Sequence, residues 1–171
     1  MKRQLTTLLL LLMAVAGMQA QKLQGKWMSK VNEDGQEITM YLTFDEKFLL
    51  KAQIVGDVPN LGQLYMSFTV PGTYRQSGED LHIDIDKTKS EAAIDKIVFT
   101  EEAQKLVNEK PEVKDQLLEA LKPALVEARD SFMKEFPLDG ELTIYELTDT
   151  TLRFDEPDVD EADIPSFTRV E

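Results

Sequence analysis

The sequence predicts a mainly β protein: an antiparallel up-and-down β-barrel of eight to ten strands, with a helical insertion at about residues 100–136. Three observations support this prediction. Apolar and polar residues alternate through most of residues 37–99 and again after residue 141. Tight turn signals separate the alternating segments at regular spacing, and the period becomes helical only from Thr100 onward. Closing such a meander into a barrel removes its unpaired edges, and a two-sheet sandwich is the alternative.

The composition favours a single folded domain. The chain has 171 residues, of which 42% are hydrophobic and 30% are charged. This is long enough for one sizeable core and short for two. We therefore expect one barrel domain over residues 21–171, with the helical insertion inside it.

Residues 1–20 have the pattern of a secretory signal peptide. Lys2 and Arg3 form a basic head, residues 8–15 are an apolar run, and Ala20 offers a small residue at the cleavage point. The run is shorter than the roughly 20 residues that span a bilayer, so we expect no membrane insertion of the mature chain. No cysteine follows it to carry a lipid. These features predict export to a periplasm or to the outside of the cell, in soluble form.

Cysteine content and charge exclude several classes of function. The chain has no cysteine, which rules out disulfides, thiolate metal sites and cysteine nucleophiles. Its formal net charge is −13, and loss of the two basic residues of the signal peptide makes it more negative still. Such a surface repels phosphate backbones, so we expect no nucleic-acid partner.

The first half of the mature chain reads as consecutive hairpins. The first strand is predicted around Trp27, in residues 23–31, and an Asp-Gly turn follows it. Strands at residues 37–44 and 48–54 form a hairpin with one apolar face. A loop is predicted at residues 56–62.

The next segments continue the alternation. Residues 64–70 form a strand, which Pro71 and Gly72 are predicted to break or bulge before a short continuation over residues 72–75. Strands follow at residues 81–86 and 91–99. In the first, Leu81, Ile83 and Ile85 face inward; the second is patterned less cleanly and is predicted through Ile94, Ile97 and Phe99.

The helical insertion begins at Thr100, a suitable N-cap followed by two glutamates. A short helix should end near Asn108, and a second should start after Pro111. An apolar stripe at spacings of three and four marks its buried face, with Pro123 predicting either two pieces or one bent helix. The stripe comprises Val113, Leu117, Leu121, Leu125, Ala128, Phe132 and Phe136.

The chain returns to strands after the insertion. Residues 137–140 should end the helix, and a hairpin is predicted with strands around residues 142–144 and 152–154. After an acidic tail, residues 166–170 have the pattern of a closing strand.

The triplet Gly25-Lys26-Trp27 in the first strand, followed by the series of hairpins, resembles the lipocalin superfamily, and most of all the lipocalin-like domains of secreted bacterial proteins. The resemblance covers roughly residues 21–170. It implies that Gly25 lets the chain pass close to the base of the barrel and that Trp27 plugs its closed end. It also implies an arginine from a late strand over the tryptophan ring, supplied by Arg169 or by Arg153. The helical insertion lies between strands, whereas the main helix of lipocalins usually follows the eighth.

The inward side chains suggest a binding protein for a small hydrophobic ligand. Phe132 and Phe136 would touch that ligand if the helix is a movable lid, and the helix could otherwise simply pack on the barrel. The alternative is a filled barrel whose helix or acidic face docks another exported protein. The candidate ligand-binding residues are Met40, Leu42, Phe44, Leu50, Met66, Phe68, Phe132 and Phe136.

The sequence offers little for catalysis or metal binding. His82, the only histidine, shares a strand face with Asp84 and Asp86, which also reads as an ordinary outward polar face. The acidic residues between Asp155 and Asp163 are oxygen ligands of the kind calcium prefers, but they lack the spacing of a helix-loop-helix site. We therefore expect no catalytic residues, no metal and no cofactor, and a protein that is not an enzyme.

Overall fold

The computed structural model describes residues 23–33, 36–135, 139–155 and 166–170. The predicted signal peptide, Phe136 and most of the acidic tail lie outside these ranges. Within them the chain is mainly β, as predicted, and its elements follow one another in this order: β1 (Gly25–Glu33), β2 (Gln36–Phe44), β3 (Phe48–Val58), β4 (Gly62–Ser77), β5 (Asp80–Ile85), β6 (Glu91–Phe99), α1 (Glu101–Glu109), α2 (Glu112–Glu135), β7 (Gly140–Leu147), β8 (Thr151–Phe154) and β9 (Ser166–Val170).

Eight of these strands close into an antiparallel barrel, which confirms the predicted fold. Each of β1 to β4 pairs with the strand that follows it in sequence, β5 pairs with β7, and β7, β8 and β9 pair in order. The ring closes where β9 pairs with β1, placing Arg169 opposite Trp27. Because β1 and β9 pair with each other, neither is left as an unpaired edge strand.

Strand β6 extends the sheet beyond the ring. It pairs with the first half of β4, from Gly62 to Thr69, whereas β5 pairs with the second half of the same edge, from Gly72 to Ser77. Pro71 lies at the change of partner, where its missing N–H costs neither ladder a hydrogen bond. The sequence predicted that Pro71 and Gly72 break or bulge the strand. The prediction of a break is wrong, because β4 runs through both residues.

Gly72 is required at this point because the backbone of β5 passes very close. A Cβ atom there would lie 2.6 Å from the carbonyl oxygen of Asp84 and 3.2 Å from the ring of Phe48. The predicted loop over residues 56–62 is also shorter than expected. Strand β3 continues to Val58 and pairs with β4 up to a tight turn at Asn60.

The helical insertion starts where predicted. The hydroxyl of Thr100 caps α1 by accepting a hydrogen bond from the backbone N–H of Ala103 at 3.3 Å. Helix α2 is one continuous helix of 24 residues with Pro123 inside it, which decides between the two predicted forms. The apolar stripe from Val113 to Phe132 lies on its less exposed side, and Leu125 is its most buried member.

Two apolar clusters fill the inside of the sheet. The Trp27 cluster occupies the end of the barrel where β1 begins and where the β2–β3 and β7–β8 turns lie. Its fully buried members include Trp27, Leu42, Phe44, Phe48, Leu81, Ile83 and Leu152. The helix-covered cluster lies at the other end, where α2 packs on the inner face of β3, β4 and β6; it contains Ala52, Ile54, Phe68 and Leu125.

Candidate functional site: the barrel interior

Trp27 closes one end of the barrel. Its side chain is fully buried, and its indole N–H donates a hydrogen bond to the carbonyl oxygen of Leu23 at 2.8 Å. The alternation of β1 places Trp27 and Ser29 inward and the neighbouring lysines outward. Satisfying the indole N–H locally lets the ring lie in an otherwise apolar interior.

Arg169 packs over this tryptophan. Its guanidinium carbon lies 4.3 Å from the centre of the Trp27 ring, within cation–π range. The guanidinium also donates to the carbonyl oxygens of Gln24 at 2.6 Å and Asp149 at 2.8 Å, which ties three segments together. Arg153, the other candidate, lies instead on the outer face, 5.5 Å from the ring of Tyr145.

Gly25 provides the room that Arg169 needs. Its φ is +118°, a conformation that residues with a side chain rarely adopt, and a Cβ would lie 2.8 Å from the Arg169 guanidinium nitrogen Nη1. The Gly-x-Trp spacing thus places a glycine beneath the arginine and a tryptophan against its flat face.

The structure distributes the predicted ligand-lining residues over both clusters. Met40, Leu42, Phe44 and Leu50 belong to the Trp27 cluster, where they pack against other side chains. Phe68, Met66 and Phe132 belong to the helix-covered cluster. Phe136 lies outside the described residues.

Helix α2 supplies the cover of the second cluster. The ring of Phe132 lies 5.7 Å from that of Phe68, centre to centre, and Leu125 packs beside it at 8% exposure. Arg129 reaches from the helix to the carbonyl oxygen of Ser90, which it contacts at 3.3 Å. The insertion therefore lies over an open end of the barrel.

The sequence did not point to the β6 side of this cluster. Ala92 and Ile94 face α2, opposite Phe68 and Met66 of β4. The sequence predicted a strand over residues 91–99, but which strand β6 joins, and therefore that Ala92 lies beneath α2, depends on the long-range pairing with β4 and had no local signal.

The predicted polar candidates do not converge on a site. The ring nitrogen Nδ1 of His82 lies 2.8 Å from a Glu141 carboxylate oxygen on the outer face. Asp86 instead caps the short 3-10 turn Lys87–Lys89, and a hydrogen bond from Lys89 is the main cause that lowers its pKa to about 2. Of the acidic tail, only Asp155 falls among the described residues.

Residues 23–33, 36–135, 139–155 and 166–170 hold no group of three or more histidine, aspartate or glutamate side chains placed to share a metal ion. Neither described helix combines the length and the apolar character needed to cross a membrane.

Burial and one neighbouring charge act on Tyr74, which lies beside the Trp27 cluster. Its hydroxyl donates to the backbone carbonyl of Asp45 at 2.9 Å, and its ring packs edge-on against Phe44. Burial, and secondly the Asp45 carboxylate, raise the pKa of Tyr74, so the phenol stays protonated as a donor.

No protein-family model matches the sequence, and no curated protein matches it significantly.

Proposed function

We propose that this chain is an exported, lipocalin-like binding protein that holds a small apolar ligand inside its barrel, beneath helix α2. The observation that supports this proposal best is the cover of the helix-covered cluster. An apolar inner face formed by β3, β4 and β6 is closed by a helix of which only Leu125 is deeply buried. Elements with few buried side chains open at low free-energy cost, so α2 is suited to admit a ligand.

We place the ligand at the other end of the barrel because the Trp27 cluster leaves it no room. Side chains fill this cluster, with aromatic contacts such as that between Phe44 and Phe48 at 5.3 Å, and opening it would break the Arg169 contacts. A ligand that enters under α2 needs only to displace or lift that helix.

The residues beneath α2 indicate a small, apolar ligand. Ala52 and Ala92 leave room between larger side chains once the helix is lifted, and Met66 is unbranched and adapts to ligands of different shape. Phe68 and Phe132 would contact the ligand through their rings. No described polar group converges on this cluster to suggest catalysis, and we propose a non-catalytic role without cofactor.

A dye titration tests this proposal. The protein without residues 1–20 is titrated with the neutral apolar dye N-phenyl-1-naphthylamine, and we expect a saturable increase in fluorescence. In Ala92→Trp the new ring fills the space beneath α2, so the affinity for the dye should fall about tenfold or more.

Ala93→Trp is the matched control, because Ala93 lies on the opposite, exposed face of the same strand. It should leave dye binding unchanged. Absence of saturable binding by folded protein, or equal loss in both variants, would contradict the proposal. Circular dichroism establishes that each variant is folded.

The export step is proposed on the signal pattern of residues 1–20. It is tested by the mass of the protein recovered from the periplasm or medium after expression with its own N-terminus. Processing after Ala20 predicts a chain that begins at Gln21, whereas an intact N-terminus in a cell-associated protein would contradict export.

The filled Trp27 cluster favours a second candidate function, a non-catalytic module that docks another exported protein. Leu106 of α1 and Val126 of α2 are each 45% exposed and could contribute to such a surface. A partner whose binding is lost in Leu106→Asp, with no dye binding by the wild type, would favour this candidate over the first.

A further inference from the structure

A groove crosses the outer face of the sheet, and it also reaches Ile54 and Met66 of the helix-covered cluster. It runs over β2, β3 and β4 between Lys30 of β1 and Lys96 of β6, and its volume is about 380 Å³. This volume lies in the range of about 300–1,000 Å³ that is usual for small-molecule sites. The groove is not part of the proposed binding site inside the barrel.

The floor of the groove is small and polar. Thr39 of β2, Gln53 of β3 and Ser67 of β4 lie side by side in one row of the sheet. The exposure of Thr39 is 7% and that of Ser67 is 6%, although both point away from the core. Outward threonine and serine side chains on a barrel are normally solvated, so larger neighbours must rise around them.

Two tyrosines provide these neighbours. Tyr41 of β2 and Tyr65 of β4 line the groove on either side of Gln53. A lysine ammonium lies over each ring: Lys26 at 4.3 Å from the centre of Tyr41, and Lys96 at 5.5 Å from the centre of Tyr65. Both rings are half-buried, and the flexible lysine over each ring is the group that a ligand would displace to reach the ring face.

The four charged residues that line the groove cancel. Lys30 pairs with Glu37 at 3.5 Å, and Asp95 accepts a hydrogen bond from the Ser67 hydroxyl at 2.9 Å, while Lys96 supplies the second cation. The protein around it carries a net charge of −13. This excess repels an anionic ligand at long range; it attracts a cation to the protein surface in general, but the balanced groove adds no local attraction for one.

From this geometry we infer that the groove is a binding site for a neutral sugar, one or two pyranose rings of an oligosaccharide. A pyranose has C–H groups on its ring face, which pack against an aromatic ring, and hydroxyls that both donate and accept hydrogen bonds. The groove presents both features: two tyrosine rings, and a set of amide, hydroxyl, ammonium and carboxylate groups. This inference does not rest on the proposed ligand beneath α2, although Ile54 and Met66 line the groove and also belong to the helix-covered cluster.

The inference is tested by nuclear magnetic resonance titration of the ¹⁵N-labelled protein without residues 1–20. The probes are linear hexaoses of α- and β-linked glucose, mannose, xylose and N-acetylglucosamine. We expect at least one to shift the amide signals of Gln53, Tyr65 and Lys96 saturably, with a dissociation constant of about 0.1–1 mM, as suits a shallow groove. Signals of residues in the Trp27 cluster should stay in place.

Tyr41→Ala and Tyr65→Ala should each weaken this binding about tenfold or more. Tyr145→Ala is the matched control, since Tyr145 is an exposed barrel tyrosine with a cation, Arg153, over its ring, but lies on β7 outside the groove. It should leave the affinity within twofold.

Three outcomes would overturn the inference. None of the five hexaoses shifts the groove signals of the folded wild-type protein; Tyr145→Ala weakens binding as much as the groove variants; or an acidic oligosaccharide, oligogalacturonate, binds more tightly than every neutral one.

Discussion

At the scale of single residues, the Trp27 end of the barrel depends on an arginine and a glycine that are far apart in sequence. Arg169 joins β9 to Gln24 and to the β7–β8 turn while it packs on Trp27. Gly25 leaves the space that the guanidinium occupies. Each residue therefore makes a separate, measurable contribution to closing the barrel.

Arg169→Met should destabilise the protein by about 1–3 kcal/mol, because it removes a cation–π contact and hydrogen bonds to two carbonyl oxygens. Trp27 is the only tryptophan, so its fluorescence reports on this end during urea unfolding. Arg153→Met is the comparison; its ion pair with Glu146, at 3.9 Å, is long, and it lies 5.5 Å from the Tyr145 ring, further than Arg169 from Trp27, so its loss should cost less than that of Arg169. Equal losses would show that Arg169 has no special role.

Gly25→Ala should cost about 1–3 kcal/mol, since alanine is strained at a φ of +118° and its Cβ would press on Arg169. Gly56→Ala provides the comparison, because a Cβ at that strand position meets no atom within 4 Å. It should be neutral or stabilise slightly by restricting the unfolded chain. Thermal unfolding of both variants measures the difference, and a harmless Gly25→Ala would contradict the packing described.

Asp86 should titrate at about pH 2, below its usual pKa of 3.8, chiefly because of the hydrogen bond from Lys89. A lowered folded pKa stabilises the fold above pH 4, and this contribution is lost as the pH falls from about 4 to about 2. Carboxyl-carbon chemical shifts measure the midpoint directly.

Lys89→Met should raise the Asp86 midpoint toward 3.8. Lys87→Met should not, since Lys87 pairs with Asp139 at 2.9 Å and lowers the pKa of that carboxyl instead. An Asp86 midpoint that responds to Lys87 and not to Lys89 would refute the assignment.

At the scale of elements, strand β4 and helix α2 together form the helix-covered end of the barrel. Strand β4 changes partner at Pro71 and sends its first half beyond the ring, where β6 joins it. The inner face of this extension is apolar, and α2 covers it mainly through Leu125, Ala128 and Phe132. Strand β6 adds Ala92 and Ile94 to the apolar surface on which the helix packs.

Leu125→Ala should destabilise the protein by about 2–3 kcal/mol, the usual cost of truncating a buried leucine. Amide hydrogen exchange should quicken in α2 and change little in β1 and β9. Val126→Ala, one residue further and 45% exposed, should stay within about 0.5 kcal/mol. If both substitutions cost the same, α2 does not pack through Leu125.

At the scale of the whole molecule, local patterns predicted more of the fold than of its uses. Alternation around Met40, Leu42 and Phe44 fixed their inward direction, because a strand has only two faces. The partner of β6 and the outer groove were beyond prediction, since bringing Tyr41 and Tyr65 to the two sides of Gln53 depends on pairings between distant strands. The acidic composition bears on solubility and association, and it does not predict the order of the strands.

The same composition predicts a salt effect on stability. With 32 acidic and 19 basic residues, the folded chain repels itself, and salt screens this repulsion. The melting temperature should therefore rise by a few degrees between about 0.01 M and 0.15 M sodium chloride, as the Debye length falls from about 30 Å to about 8 Å. Sodium sulfate at equal ionic strength separates screening from solute exclusion, and a flat or falling response in sodium chloride would contradict the expectation.

The seam between β1 and β9 also has a kinetic consequence. A hydrogen bond across it joins residues 145 apart in sequence, so the ring cannot close until β9 has emerged from the ribosome. Closure therefore requires two strands far apart in sequence to meet, which is entropically costly and slow, on a timescale of about milliseconds to seconds. Until it ends, β1 and β9 are exposed edges, and the nascent protein is most exposed to aggregation and proteolysis during that interval.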